Sequence, residues 1–315
     1  MFFFRQPSGP FSTKARSCKK MATNFDLSSC CSSLSSDSSD DDRNNTNKKI
    51  DLSYHELTHR DIEHNLLEVS SSGPQVRDAL QKILAYNNNI EIFPESVLNF
   101  KNISVLDLSN NVLREMPECV QHMTNLTHLY FRNNLIHEHG MPKTLASLTK
   151  LRDLNLSGNR LNEIPNCLLE IVSLRNLFLG GNKITEVPPG IRSLKRLKVL
   201  YLGGNLLKKL PTEICQLTHL VALILCDNLL ASLPDSICEL RRLECLQLHT
   251  NQLTTLPSGL IHIETLDELS LRENPLVVRF VQEMTFQASP LLELAARYSI
   301  HSEESKERIA NSFFL

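Results

Sequence analysis

The stretch LRNLFLGGNKITEVPPGIRSLKR (residues 174–196) is followed directly by LKVLYLGGNLLKKLPTEICQLTH (residues 197–219), and the two align without a gap. Leu174, Leu177, Leu179, Asn182, Ile184, Pro188, Ile191 and Leu194 of the first become Leu197, Leu200, Leu202, Asn205, Leu207, Pro211, Ile214 and Leu217 of the second. Outward from this pair the Asn recurs at 88, 111, 134, 159, 182, 205, 228, 251 and 274, in steps of 23 residues with one step of 25. The Pro recurs at 94, 117, 142, 165, 188, 211, 234 and 257. Asn134 and Pro142 stand two residues further apart than the other pairs, which places an insertion in IHEHGM (136–141). Nine registered units of one length specify an array of stacked repeats, because a single unit has no second layer against which to bury its apolar face.

The spacing within a unit predicts its local structure. Positions four and six, Leu177 and Leu179 in the unit starting at Leu174, alternate inward as a short strand, and positions three, five and seven face outward. The Asn at position nine turns the chain towards the core, where its amide can satisfy backbone groups that the turn leaves unpaired. The Pro opens a segment whose apolar residues, Ile214 and Leu217 for example, pack back onto the core. The fold class expected is an α/β solenoid, a horseshoe with a parallel concave sheet over residues 80–276, built from nine 23-residue LPxxI-type repeats with helical caps. Residues 50–79 carry helix-like apolar spacing and are assigned as the N-terminal cap. VVRFVQEM (Val277–Met284) and LLELAARYSI (Leu291–Ile300), the latter behind a Ser289-Pro290 start signal, are assigned as C-terminal capping helices over 277–300, with a flexible tail at 301–315.

Residues 1–49 differ in composition. The run SSCCSSLSSDSSDDDR (Ser28–Arg43) has too little apolar content to offset its ordering entropy and is read as disordered. Ser38 and Ser39 each precede an Asp by three residues, the spacing of acidic-directed kinase sites, beside the plainer reading of a solvated linker. Over 315 residues Lys plus Arg is 33 against 35 for Asp plus Glu, a net charge of −2 that offers no field for a nucleic acid. The clean apolar run Leu220–Cys226 is about a third of a membrane span. Nine scattered Cys, odd in number, bracket no disulfide cap, so a reduced, cytoplasmic, monomeric chain is expected.

Function is then sought on the outward strand positions. Position five reads Tyr130, Asn155, Phe178, Tyr201 and Ile224 along the middle repeats; Phe178, Tyr201 and Ile224 form one exposed apolar stripe, with Tyr130 two repeats before it, of the composition that anchors protein interfaces. Arg132, His249 and Arg272 at position seven supply a polar rim. Ser157-Gly158, Gly180-Gly181 and Gly203-Gly204 leave either a trough beside the row or simply a turn that suits glycine. Cys226 and His249 share position seven in adjacent repeats, so a nucleophile–base pair or half a metal site is a remote reading, without an evident orienting carboxylate. The chain contains no phosphate loop, GxGxxG, zinc-ligand spacing or GxSxG. A non-enzymatic module that binds a protein on its concave face is expected, with no cofactor and no metal.

The 23-residue LPxxI unit resembles the intracellular class of leucine-rich repeats found in signalling scaffolds. LYLGGN (Leu200–Asn205), LILCDN (Leu223–Asn228), LSLRENPLVVRFV (Leu269–Val281) and LLELAAR (Leu291–Arg297) are similar to one family within that class, over about residues 50–297. The resemblance implies a second role for the last helix. PLLELAAR (Pro290–Arg297) is similar to an elongin-binding box of cullin-RING substrate receptors, in which Leu291 and Ala295 would be buried anchors supported by Leu294. Pro290 and Ser299 depart from that box. On this reading the chain is the substrate-recognition subunit of a ubiquitin ligase with elongin B/C as a partner; on the plainer one the helix caps the solenoid.

Overall fold

The computed structural model describes residues 48–276. Ten short parallel strands form one sheet in sequence order: β1 (Lys49–Asp51), β2 (Lys82–Leu84), β3 (Val105–Asp107), β4 (His128–Tyr130), β5 (Asp153–Asn155), β6 (Asn176–Phe178), β7 (Val199–Tyr201), β8 (Ala222–Ile224), β9 (Cys245–Gln247) and β10 (Glu268–Ser270). Each pairs in register with the equivalent residues of the next, as Leu177 does with Leu200 and Leu200 with Leu223. After most of the strands the chain turns inward, runs past the Pro and closes one short 3-10 turn, for example Thr212–Gln216 and Asp235–Glu239, which begin directly after Pro211 and Pro234; after Pro165 a single α-helical turn, Asn166–Leu169, takes its place. The Pro suits that place because its fixed φ is compatible with a helical start and its missing N–H would have no intrahelical partner there.

The core is the leucine ladder between sheet and turns. Leu177, Leu179, Ile184, Ile191 and Leu194 are all fully buried, and so are their equivalents in the neighbouring units. Asparagine links one unit to the previous one. Asn182 Nδ2 donates to the carbonyls of Leu179 (2.9 Å) and Leu156 (3.0 Å), and its Oδ1 accepts from the Leu161 N–H at 3.1 Å. Asn205 repeats this with Leu202, Leu179 and Ile184, and the pattern continues to Asn274. Each amide thus satisfies three backbone groups that the inward turn strips of ladder partners.

The turn imposes a second repeated constraint. Position eight has a left-handed backbone in every unit: Asn87, Asn110 and Asn133 have φ of 52–55°, glycine occupies 158, 181 and 204, and Asp227, Thr250 and Glu273 have φ of 53–56°. The second glycine of each pair therefore satisfies a backbone requirement. The insertion at 136–141 moves its unit's 3-10 turn, Glu138–Gly140, ahead of Pro142, and the last carbonyl of that turn accepts the Met116 N–H at 2.7 Å. A Cβ at Gly140 would sit 2.6 Å from the Arg114 carbonyl oxygen, so only glycine lets the inserted chain approach so closely.

The N-terminal region departs from expectation. Lys49–Asp51, assigned partly to the disordered segment and partly to a helical cap, is strand β1 and continues the sheet. Ile50 and Leu52 alternate as in every other unit, but without an Asn of their own at the turn. Asn88 of the next unit makes the same backward link as the other Asn, with Nδ2 on the Leu52 carbonyl at 2.8 Å and Oδ1 on the Leu57 N–H at 2.9 Å. Helices α1 (His59–Ser71) and α2 (Pro74–Ala79) follow. Asp61 accepts from both the N–H and the hydroxyl of Thr58 to cap α1, while Ile62 and Leu66, one turn apart, are fully buried. The assignments at 1–47 and 277–315, including Ser38, Ser39, Leu291, Leu294 and Ala295, lie outside the described residues.

Candidate functional site

Strand register sets the site. Tyr130 in β4, Asn155, Phe178, Tyr201, Ile224, Gln247 and Ser270 in β10 are partners in one continuous row on the sheet face turned away from the core. Phe178 and Tyr201 are half-buried, with ring centroids 6.5 Å apart at 47°. Ile224, expected to be exposed, is only 3% accessible. Its same-face neighbours cover it: Val199, Ala222, Cys226 and Cys245 join Ile224 in a second apolar cluster, separate from the main core, against which Phe178 and Tyr201 pack. Position alone identifies the face to which a strand residue belongs. Its depth depends on the residues beside it, and Val199, Ala222 and Cys245 at position three were the signal the sequence reading passed over.

The trough imagined over the glycines is filled. The ring of Tyr201 lies where a Cβ on Gly180 would stand, and Cys226 Sγ lies 2.8 Å from the Cβ position of Gly203. Glycine at position seven therefore makes room for Tyr201 to lie against the sheet, and the turn explains only its position-eight partner.

Tyr130 belongs to a different environment, separated from Phe178 by Asn155. His128 meets it edge-on at 6.2 Å and is bound to Asp153 at 3.0 Å; Asp153 also accepts from Asn176 Nδ2 at 2.6 Å. Burial raises the Tyr130 phenol pKa, and Asp153 and Asp107 add to the shift. Burial also raises the Asp107 carboxyl, against the opposing hydrogen bond from the Ser109 N–H at 2.9 Å. Tyr86, Asp107, Tyr130 and Arg132 line a shallow concavity of about 290 Å³ here. A larger one of about 360 Å³, beside Val172, lies off this face and is lined by the hydroxyl residues Thr149, Ser173 and Ser193 and by Lys195 and Arg196, with no carboxylate, histidine or cysteine in its lining. The sheet face is thus polar over β3–β5 and apolar over β6–β9.

At the far end Cys226 and His249 do come together, and a carboxylate joins them. Ligating atoms of Cys226, Asp227 and His249 all lie within 4.8 Å of one another. The sequence reading found no carboxylate because Asp227 sits at position eight, where the left-handed turn redirects the chain. Burial, reinforced by Asp227, pushes the Cys226 thiol up to about 12, and burial lowers the pKa of His249 against the pull of Asp227. A protonated thiol beside a neutral imidazole is the reverse of an activated thiolate–imidazolium pair. Ser270 Oγ stands 3.3 Å from His249 Nδ1, Cys245 donates to Glu268 at 3.2 Å, and Gln247 Nε2 donates to Glu268 at 2.9 Å. Arg132 is half-buried and Arg272 exposed, on the two sides of the apolar patch.

Comparison with known proteins agrees with this architecture. Leucine-rich repeat models match residues 150–170, 172–214 (two copies) and 218–276. Leucine-rich repeat-containing protein 58 of Xenopus tropicalis is 42% identical over 115 residues, 36% of this chain, and the match spans only about a third (32%) of that relative. Among solved structures, a leucine-rich repeat protein of Leptospira interrogans superposes with a TM-score of 0.60 at 34% identity, covering 64% of this chain and 50% of that one. The Arabidopsis receptor kinase HAESA, solved with the peptide hormone IDA and the co-receptor SERK1, gives 0.56 at 30% identity, covering 65% and 35%. Among the described residues no helix is long and apolar enough to cross a membrane. With their Asn-registered units, one parallel sheet in sequence order and these matches, the described residues form a leucine-rich repeat solenoid, and the chain is similar over part of its length to leucine-rich repeat-containing protein 58.

Proposed function

We propose that the open sheet face binds a protein partner, with Phe178 and Tyr201 as anchors, Ile224 as the buried support beneath them, and Tyr130, Arg132, His249 and Arg272 around them. The observation that carries this is the apolar cluster of Val199, Ala222, Ile224, Cys226 and Cys245 on the solvent side of the sheet, next to two half-buried aromatic rings. Leucine-rich repeat folds serve generally to bind proteins, and HAESA was solved with a peptide hormone and a co-receptor. Rigid aromatic anchors with a polar surround are the usual composition of such a surface. The raised Cys226 thiol favours binding over catalysis. A cytoplasmic monomer remains part of this reading.

The elongin reading rests on the string at 290–297 and its resemblance, and concerns Leu291, Leu294 and Ala295. One experiment addresses both roles: affinity purification from cells of the wild type, Phe178→Ala/Tyr201→Ala, Lys195→Glu/Arg196→Glu and Leu291→Ser. The proposal expects a client missing only from the first variant, and elongin B/C missing only from the last. Clients retained by the folded Phe178→Ala/Tyr201→Ala protein would overturn the face assignment.

A further inference from the structure

Cys226, Asp227 and His249 combine three donor types, a thiol, a carboxylate and an imidazole, at the edge of the sheet face. Their ligating atoms lie within 4.8 Å of one another. Ligands on a tetrahedral zinc ion stand roughly 3.3–3.8 Å apart for bonds of about 2.0–2.3 Å, so closure about an ion needs side-chain adjustments on the order of 1 Å. We propose that these three side chains form a binding site for a zinc-class divalent cation, with the fourth coordination position open. This departs from the metal-free expectation, and it does not rest on partner binding.

Four features support it. The donors come from two adjacent repeats, so the register of β8 and β9 itself holds Cys226 and His249 opposite one another. Ser270 Oγ, 3.3 Å from His249 Nδ1, orients the ring, as outer-sphere partners orient metal-bound histidines. The charged groups acting on His249 are Asp227, Glu268 and Glu273 against a single cation, Arg272, a local balance that favours a dication. Asp227 is exposed and Cys226 is 6% accessible, so an ion has a solvent approach on one side and a dry wall on the other. Binding exchanges one proton: Cys226–SH plus the dication gives the metal–thiolate bond and a proton released to solvent.

The test is titration of the reduced full chain with Co²⁺ alone, followed in the near-ultraviolet for a thiolate-to-cobalt charge-transfer band, with Zn²⁺ as displacing ion. The proposal predicts a band saturating at one equivalent, lost on Zn²⁺ addition and lacking in Cys226→Ser. Asp227→Asn and His249→Gln should each weaken Zn²⁺ binding by at least roughly 10-fold, no less than a lost outer-sphere partner does. These two polar substitutions keep the test valid if Cys226→Ser does not fold, which a melting curve without metal reveals. No saturable band in the wild type, or a band of unchanged affinity in the variants, would overturn the site and assign any binding to the other cysteines.

Discussion

Thr250 occupies a left-handed backbone, φ 56°, which β-branched residues rarely adopt. Position eight demands that conformation of whichever residue stands there, and Asn133 at φ 52° shows the residue type that bears it easily. Thr250→Asn should therefore raise the unfolding free energy by about 1 kcal/mol in urea; an unchanged midpoint would mean that the Thr250 Oγ1 bond to Glu273 at 3.0 Å offsets the strain. Asn182→Ala should act in the other direction, because it strands the Leu156 and Leu179 carbonyls and the Leu161 N–H together. A loss of roughly 2–4 kcal/mol in the same assay is expected. Asp107 gives a pH-dependent case. Its folded pKa is raised by burial, so the carboxylate opposes folding above that pKa and ceases to oppose it once protonated in both states. Asp107→Asn should thus raise the midpoint at pH 7, and the gain should vanish below the ordinary carboxylate value of about 3.9.

Among elements, the strand–turn unit was legible because its apolar residues and Asn keep one period, and solvent cannot replace either of them. Strand β1 was not, since Ile50 and Leu52 show the alternation without the Asn that marks the other turns. The aromatic row was placed correctly on its face by position five, yet Ile224 lies deeper than position implies, because Ala222 beside it in β8 and Val199 and Cys245 of the neighbouring strands cover it. Asp227 was invisible for a related reason: a left-handed residue does not follow strand alternation. The glycine at 180 leads to a prediction at this scale. Gly180→Ala places a Cβ in the ring of Tyr201, which can swing away, and 2.8 Å from the Gly203 carbonyl oxygen, which is backbone and cannot, so the substitution should both displace Tyr201 and lower stability. Tyrosine fluorescence should change and the melting midpoint should fall; an unchanged midpoint would show that the backbone at Gly203 yields without cost.

For the molecule as a whole, the repeat makes every unit alike inside and leaves the outward positions to differ. The core could be read from the sequence for that reason, whereas the function has to be read from the departures. Those departures divide the sheet face into a polar part around Asp107, Tyr130 and Asp153 and an apolar part around Phe178, Tyr201 and Ile224. A partner seated across both would meet Arg132 midway, and hot-spot behaviour would make each aromatic anchor worth about 2 kcal/mol on truncation. Photo-cross-linking in cells tests the binding face most directly, with a photoreactive phenylalanine placed at Arg132 on the sheet face or at exposed Arg196 in the turn that precedes β7, off that face. The account predicts a discrete protein adduct from position 132 and none from position 196; an adduct formed only from position 196 would contradict it.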